Sequence, residues 1–189
     1  MIQLRTPRLI LRRARASDLD ALHAIFADQD TMRFWSTGPH RTLDVTREWL
    51  DSMMASSTEV SDDFIIEHSG ETVGKVGFFR LPEIGFILRR DLWGCGLMTE
   101  AARAVIEHVV QTRNLDEFRA DVDPRNIASI RVLEHLGFVQ TGRAERTFCV
   151  EGIWVDSVYF TLRVRGRKRE TNTAVGVSTA ELRPLKLDR

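Results

Sequence analysis

A short apolar stretch, Ile84 to Leu88, leads through Gly94-Cys95-Gly96 into a run from Met98 that carries Ala101, Ala102, Val105, Ile106, Val109 and Val110 on one face. The first stretch has the length of a strand, and the second repeats every three to four residues, as a helix does. A strand that passes through two glycines directly into a helix points to a mixed α and β architecture. It also creates a binding feature. Glycines allow backbone angles closed to other residues and let a ligand approach the main chain. The first turn of a helix offers unpaired N–H groups and about +0.5 of a charge. Strand, glycines and helix together form an anion site suited to phosphate, with Thr99 and Glu100 in the first turn.

The rest of the chain sets this turn in context. Leu9-Ile10-Leu11 reads as a first strand after Pro7, and Ser17 as the cap of a helix whose stripe is Leu19, Leu22, Ile25 and Phe26. Gly38-Pro39 breaks the chain before a second helix over about 43–54, with Val45, Trp49, Leu50 and Met53 facing inward. Ser56 to Asp63 reads as a polar loop. Phe64-Ile65-Ile66 and Val73 to Phe79 flank Ser69-Gly70, a two-residue hairpin turn. After the helix from Met98, Phe118 to Val122 alternates as a strand. Asn126 to His135 is helical, with Ile127, Ile130, Leu133 and Leu136 facing in, and Gly137 supplies the left-handed residue that ends it. Trp154, Asp156, Val158 and Phe160 alternate along a final strand in which Trp154 is a packing residue. A meander is thus followed by strand–helix–strand–helix–strand, and the strands flanking the helix from Met98 are expected to be parallel. We expect one domain over residues 1–166 and a mobile polar tail over 167–189, where Arg167-Lys168-Arg169 is a solvated basic run.

Composition removes several classes of function. Lys plus Arg and Asp plus Glu both number 27, so no basic excess supports nucleic-acid or membrane-surface binding. Cys95 and Cys149 cannot build a disulfide framework, and the five histidines are scattered without metal-ligand spacing. No metal is expected. No run approaches the roughly 18 apolar residues of a membrane span, and a cytoplasmic setting is the expectation.

Several ligand readings fit Gly94-x-Gly96. A Walker-type site needs Gly-Lys-Ser/Thr, and Leu97-Met98 stand there instead. A dinucleotide site needs a third glycine where Thr99 stands. A tight turn with no ligand is the remaining alternative. Two longer segments decide among them. Asp91-Leu92-Trp93-Gly94-Cys95-Gly96-Leu97-Met98-Thr99-Glu100-Ala101 and Asn126-Ile127-Ala128-Ser129-Ile130-Arg131-Val132-Leu133-Glu134-His135-Leu136-Gly137-Phe138 resemble the GNAT acyltransferase superfamily. The branch they look most like is the ribosomal-protein N-acetyltransferase (RimJ/RimL) type. Thr6-Pro7-Arg8-Leu9-Ile10-Leu11-Arg12 and Gly152-x-Trp154-x-Asp156 are also similar to that branch, so the likeness covers about residues 4–164. Two departures stand out. Asp91 occupies a place where the superfamily often has Gln or Arg. Leu133 stands where many members carry a tyrosine general acid, and the only tyrosine is Tyr159.

The resemblance implies an α+β (α/β) GNAT fold: a mixed, mostly antiparallel sheet with a parallel strand pair at the cofactor site and helices on both faces. It implies an acetyl-CoA-dependent N-acetyltransferase in which an amine attacks the thioester directly, with coenzyme A binding without catalysis as the alternative. The acceptor would be a peptide N-terminus or a small-molecule amine, and the protein a monomer or homodimer. Main-chain groups of Ile87, Leu88 and Arg89 would line pantetheine, and Trp93, Gly94, Cys95, Gly96, Leu97, Met98 and Thr99 would surround pyrophosphate. Asn126 would hold pantetheine, with a plain helix cap as the alternative reading. Arg131 is a further phosphate candidate or a solvated arginine. Phe34 and Trp35 fall where the family's acceptor pocket forms. Glu83 would draw the proton from the amine, through water, or serve only as an edge-of-strand acid. Ser129, one turn from Asn126, would donate a hydrogen bond to the departing sulfur or bond back to a helix carbonyl. Acceptor identity sets the demand on the base. An α-amine of pKa ~7.8 is about one-seventh neutral at pH 7, whereas a lysine near ~10.4 is less than about one part in a thousand neutral.

Overall fold

The computed structural model describes residues 2–113 and 115–164, so the tail over 167–189 lies outside the described residues. Strands β1 (Gln3–Arg5), β2 (Ile10–Arg12), β3 (Asp62–His68), β4 (Glu71–Arg80), β5 (Glu83–Leu88), β6 (Glu117–Val122), β7 (Val139–Val150) and β8 (Ile153–Arg163) form one sheet in the order β1-β2-β3-β4-β5-β6-β8-β7. Every neighbouring pair is antiparallel except β5 and β6. Helices α1 (Leu19–Phe26), α2 (Gln29–Met32) and α3 (Leu43–Ala55) precede β3. Helix α4 (Leu97–Arg113) makes the crossover from β5 to β6, and α5 (Ile127–His135) follows β6.

Two apolar layers hold the sheet. On one face, Ala101, Ala102, Val105, Ile106 and Val109 of α4 and Leu133 of α5 pack on Phe64, Val76, Phe78, Ile84, Phe118 and Phe160. On the other face, Leu22, Ile25 and Phe26 of α1 and Leu50 of α3 pack on Ile65 and Ile87. Neighbours on β5 therefore serve opposite layers, as the two-residue period of a strand requires. The Ser69-Gly70 turn forms as expected, with both residues at positive φ (52° and 83°), the geometry of a two-residue hairpin. Gly137, at φ 89°, ends α5, and the Phe138 N–H reaches the Leu133 carbonyl at 3.0 Å.

Five expectations need correction. Ser17 does not cap the first helix. It is exposed, and the Asp18 carboxylate accepts the Arg15 N–H at 2.8 Å instead, while also gripping the buried Arg12. Asp62 and Asp63 begin a strand and are buried, because Arg13 and Lys75 reach their carboxylates. Val45 and Ile127 sit in the first turns of their helices and face solvent rather than the core. The final strand is one arm of a long hairpin whose other arm is β7. Trp154 is exposed, with the Arg146 guanidinium 5.3 Å from its ring centre.

Candidate active site

The glycine turn joins β5 to α4. Gly94 and Gly96 both take φ +74°, the left-handed region that side chains disfavour, and a Cβ at Gly94 would meet nothing within 4 Å. The turn is thus open on its outer side, while the N–H groups at the start of α4 have no partner within the helix. Leu97 and Met98 bury their side chains, Thr99 is half-buried and Cys95 is exposed. Only main-chain atoms of Leu97 and Met98 are therefore available to a ligand here. This open cradle fits the pyrophosphate that the resemblance implies. Trp93 lies across the turn and donates its indole N–H to the Leu88 carbonyl at 2.7 Å.

Two charged residues shape the cradle from outside. The Asp91 carboxylate is held by Arg89 at 2.8 and 3.1 Å, which keeps it below the usual carboxylate range. Its charge is therefore offset locally. Arg8, from the loop between β1 and β2, donates to the Cys95 carbonyl at 2.8 Å and to Glu100 at 2.7 Å. Glu100 also accepts the Thr6 hydroxyl at 2.6 Å and the Arg8 N–H at 3.0 Å. The opening segment of the chain thus buttresses the turn.

Next to the cradle the sheet opens. β5 and β6 share a single register pair, Glu83 with Arg119, and then diverge. The Arg89 N–H is bonded to the Val73 carbonyl at 2.8 Å, so alternation turns the main-chain groups of Ile87 and Arg89 toward β4. Those of Phe86 and Leu88 face the gap. A cavity of about 660 Å³ runs through it, in the range of small-molecule sites. Phe34, Trp35 and Glu83 line this cavity together with Asn126, Ser129 and Leu133. Five residues scattered in sequence and singled out for chemistry thus share one space with the leucine that replaces the usual tyrosine. Arg131 is exposed on α5 and does not line it.

Each of these side chains is held by its local structure. Asn126 caps α5, its Oδ1 accepting the Ser129 N–H at 3.1 Å, so the capping role is real and coexists with its place in the cavity wall. The Ser129 hydroxyl makes no bond to a helix carbonyl among the described residues. Trp35 packs 6.3 Å from Phe26, which links the cavity wall to the α1–α3 layer. Phe34 has the Arg33 and Arg125 guanidinium groups 5.3 and 5.8 Å from its ring centre. Glu83 is half-buried and meets Arg80 at a long 3.4 Å. Leu133 is fully buried in the α4 layer.

Four more acids line the wall, none of which the sequence marks for chemistry. Asp63 with Lys75 (2.9 Å), Asp123 with Arg125 and Asp156 with Arg143 (3.2 Å) are ion-paired. Asp121 also lines the cavity, and no cation bonds it among the described residues. In sequence it appears only as the outward residue of an alternating strand.

The chain is similar to known acetyltransferases in sequence and fold. The acetyltransferase (GNAT) domain family matches residues 8–139. An N-acetyltransferase of Bacillus licheniformis, p20, of uncharacterised role, is 28% identical over 174 residues, spanning 87% of this chain and 98% of the relative. The spermidine N(1)-acetyltransferase of Escherichia coli is 26% identical over 157 residues, 78% of this chain and 82% of that enzyme. Among solved structures, the Salmonella typhimurium acetyltransferase that modifies the N-terminal serine of the 50S subunit protein L7/L12 superposes with a TM-score of 0.76 at 19% identity. The match covers 85% of this chain and 97% of that one. The domain match takes in the β2-to-α5 core with both the glycine turn and the Asn126 helix, and the chain belongs to the GNAT acetyltransferase family.

Proposed function

We propose that the chain moves an acetyl group from acetyl-CoA to a primary amine by direct attack. The observation that carries this reading is the cavity through the β5–β6 gap. It brings Phe34, Trp35 and Glu83 on one side of the sheet to Asn126 and Ser129 on the other. Acetyl-CoA, when bound, supplies the activated thioester. The N–H groups of the Gly94–Thr99 turn would hold its pyrophosphate, and the gap-facing edge of β5 with Asn126 would hold pantetheine. Arg131, exposed on α5 and outside the cavity wall, would meet a phosphate only from outside the cavity.

Glu83 lines the same cavity as Phe34 and Trp35, where its carboxylate would draw in an arriving ammonium and help, through water, to remove its proton. Ser129 lines the same space, and its hydroxyl would donate a hydrogen bond to the departing sulfur. Phe34 and Trp35 would pack on the acceptor. Both acceptor classes have support. One relative is named for a polyamine and one structural neighbour for a protein N-terminus. The second reading is coenzyme A binding with little turnover, and it is favoured by Leu133, fully buried where many relatives place an acid.

A thiol-release assay with acetyl-CoA over a panel of peptides and small amines tests the proposal. Turnover on at least one amine is expected. Micromolar coenzyme A binding with no turnover on any amine would sink the acyltransfer reading. Ser129→Ala and Glu83→Gln should each lower kcat by about 10-fold or more, and unchanged rates in both would remove the assigned roles.

A further inference from the structure

The cavity wall holds five carboxylates, and four of them already have partners. Asp63 is bonded by Lys75, Asp123 by Arg125, Asp156 by Arg143, and Glu83 loosely by Arg80. Asp121 is the fifth. On β6, Phe118 and Ala120 point into the α4 layer, so Asp121 projects to the opposite face, the face on which Glu83 stands on β5. The register pair of Glu83 with Arg119 puts Asp121 two residues further on, where the strands begin to part. Gly85 lies beside it on β5, and a Cβ there would meet nothing within 4 Å. The sheet face above Gly85, beside Asp121, is therefore open to a ligand. Across the ladder, Asp121 pairs with Tyr159 of β8. Ser157 of β8 lies beside it and is itself fixed by Thr147 at 2.6 Å.

We propose that Asp121 is the carboxylate that takes the proton of the acceptor ammonium, with Glu83 as the second carboxylate that draws the ammonium into place. This rests on the acyltransfer reading above. In the step, the ammonium N–H bond breaks and its proton passes to the Asp121 carboxylate. The freed lone pair forms the N–C bond at the thioester carbonyl and the C–S bond breaks. The sulfur leaves with the electron pair as thiolate and takes up the second proton of the nitrogen. No oxidant or metal is needed.

The environment suits Asp121 as the resting place of the proton. Burial pushes the Asp121 carboxyl above the ordinary carboxylate range, and the nearby negative charge of Glu83 pushes it the same way. The nearby Ser157 hydroxyl pushes the other way but does not cancel them. The remaining charged neighbours on its strand are engaged elsewhere, Arg119 with Glu117 and Asp123 with Arg125. A carboxylate with a raised pKa and no cation is better suited to accept a proton than one paired with arginine. It also suits an acceptor that arrives positively charged, since Asp121 and Glu83 together offer two negative groups to one ammonium.

The test uses the full chain, acetyl-CoA and the fastest amine from the panel. Asp121→Asn should lower kcat by about 100-fold or more, leave the KM for acetyl-CoA within about threefold, and abolish the acid limb of the kcat/KM pH profile. Glu83→Gln should keep that limb but move it to lower pH, because a negative neighbour has been removed. An Asp121→Asn enzyme that keeps the acid limb, or that loses less than about threefold in kcat, overturns the proposal. A carbon-13 carboxyl NMR titration of the chain with coenzyme A gives a second readout that needs neither the variant's folding nor an acceptor. Asp121 must titrate above the ordinary carboxylate range, and a value within or below that range overturns the proposal even if no amine is turned over. Absence of turnover with that raised value intact would fault the acyltransfer reading instead.

Discussion

Replacing Glu100 with alanine isolates the buttress behind the glycine turn. The side chain accepts three hydrogen bonds, from the Thr6 hydroxyl (2.6 Å), the Arg8 N–H (3.0 Å) and the Arg8 guanidinium (2.7 Å). The guanidinium pair counts for little, because Arg8 is 44% exposed and such pairs are worth under about 1 kcal/mol. The other two reach a carboxylate that is 17% exposed, and bonds to charged groups contribute about 1.5–3 kcal/mol each before the freed donors find water. With both donors near the surface, we take about 2 kcal/mol in total. For a chain of this size that lowers Tm by roughly 4–8 °C. Arg8 also loses the anchor that aims it at the Cys95 carbonyl. The cradle should then bind coenzyme A about 5-fold more weakly, equivalent to about 1 kcal/mol of lost preorganisation. Differential scanning calorimetry and isothermal titration measure the two effects, and Glu100→Gln, which keeps an acceptor oxygen, should recover part of each. The sign with pH is fixed too. Thr6 and Arg8 depress the Glu100 carboxyl against the opposing push of burial. Its stabilisation is therefore present above ~4.3, the unfolded value, and disappears as the pH falls through the depressed folded value. A Glu100→Ala chain with unchanged Tm and unchanged coenzyme A affinity would refute the buttress.

Two further outcomes follow from buried charge. Lys75→Met removes the ammonium that lies 2.9 Å from the buried Asp63 carboxylate, and should destabilise by about 3–5 kcal/mol. Adding Asp63→Leu should recover most of that in urea unfolding, and failure to recover would mean the pair does more than neutralise itself. His40 lies below its ordinary value through burial and then through His23, and His108 lies below through burial, despite Asp62. Groups depressed in the folded state favour folding above their unfolded pKa of ~6.5 and lose that contribution as the pH falls below it. Tm should therefore decline from pH 7.5 to 5.5, and His40→Gln should flatten the decline. A slope untouched by that change would assign it to other groups.

Much of the fold was legible because its signals are local. Ser69-Gly70 between two apolar runs specifies a hairpin on its own, and the six apolar residues of α4 specify both a helix and its buried face. β7 carried no such signal. Its Gln140-Thr141-Gly142-Arg143 stretch is polar because the strand lies at the sheet edge with one pairing partner and little to bury. Asp62 and Asp63 read as loop because two adjacent acids belong in water unless cations meet them. Those cations, Arg13 and Lys75, are 49 and 12 residues away along the chain. The candidate site divides in the same way. The glycine turn and the Asn126 cap are contiguous motifs. Asp121 owes its raised carboxyl to burial and then to Glu83, which only the strand order β5-β6-β8 brings about.

The solitary register pair between β5 and β6 has a consequence for how the molecule holds together. Five strands, β1 to β5, form one ladder and three, β6, β8 and β7, form another, joined at a single rung and otherwise through α4 and α5. Such a sheet is mechanically two leaves with a ligand-sized seam. A molecule lying in the seam and bonding the free edge of β5 restores the missing rungs and makes the leaves open and close as one unit. Substrate binding should then appear as slowed hydrogen exchange in strands on both sides of the seam, well beyond the residues that touch it.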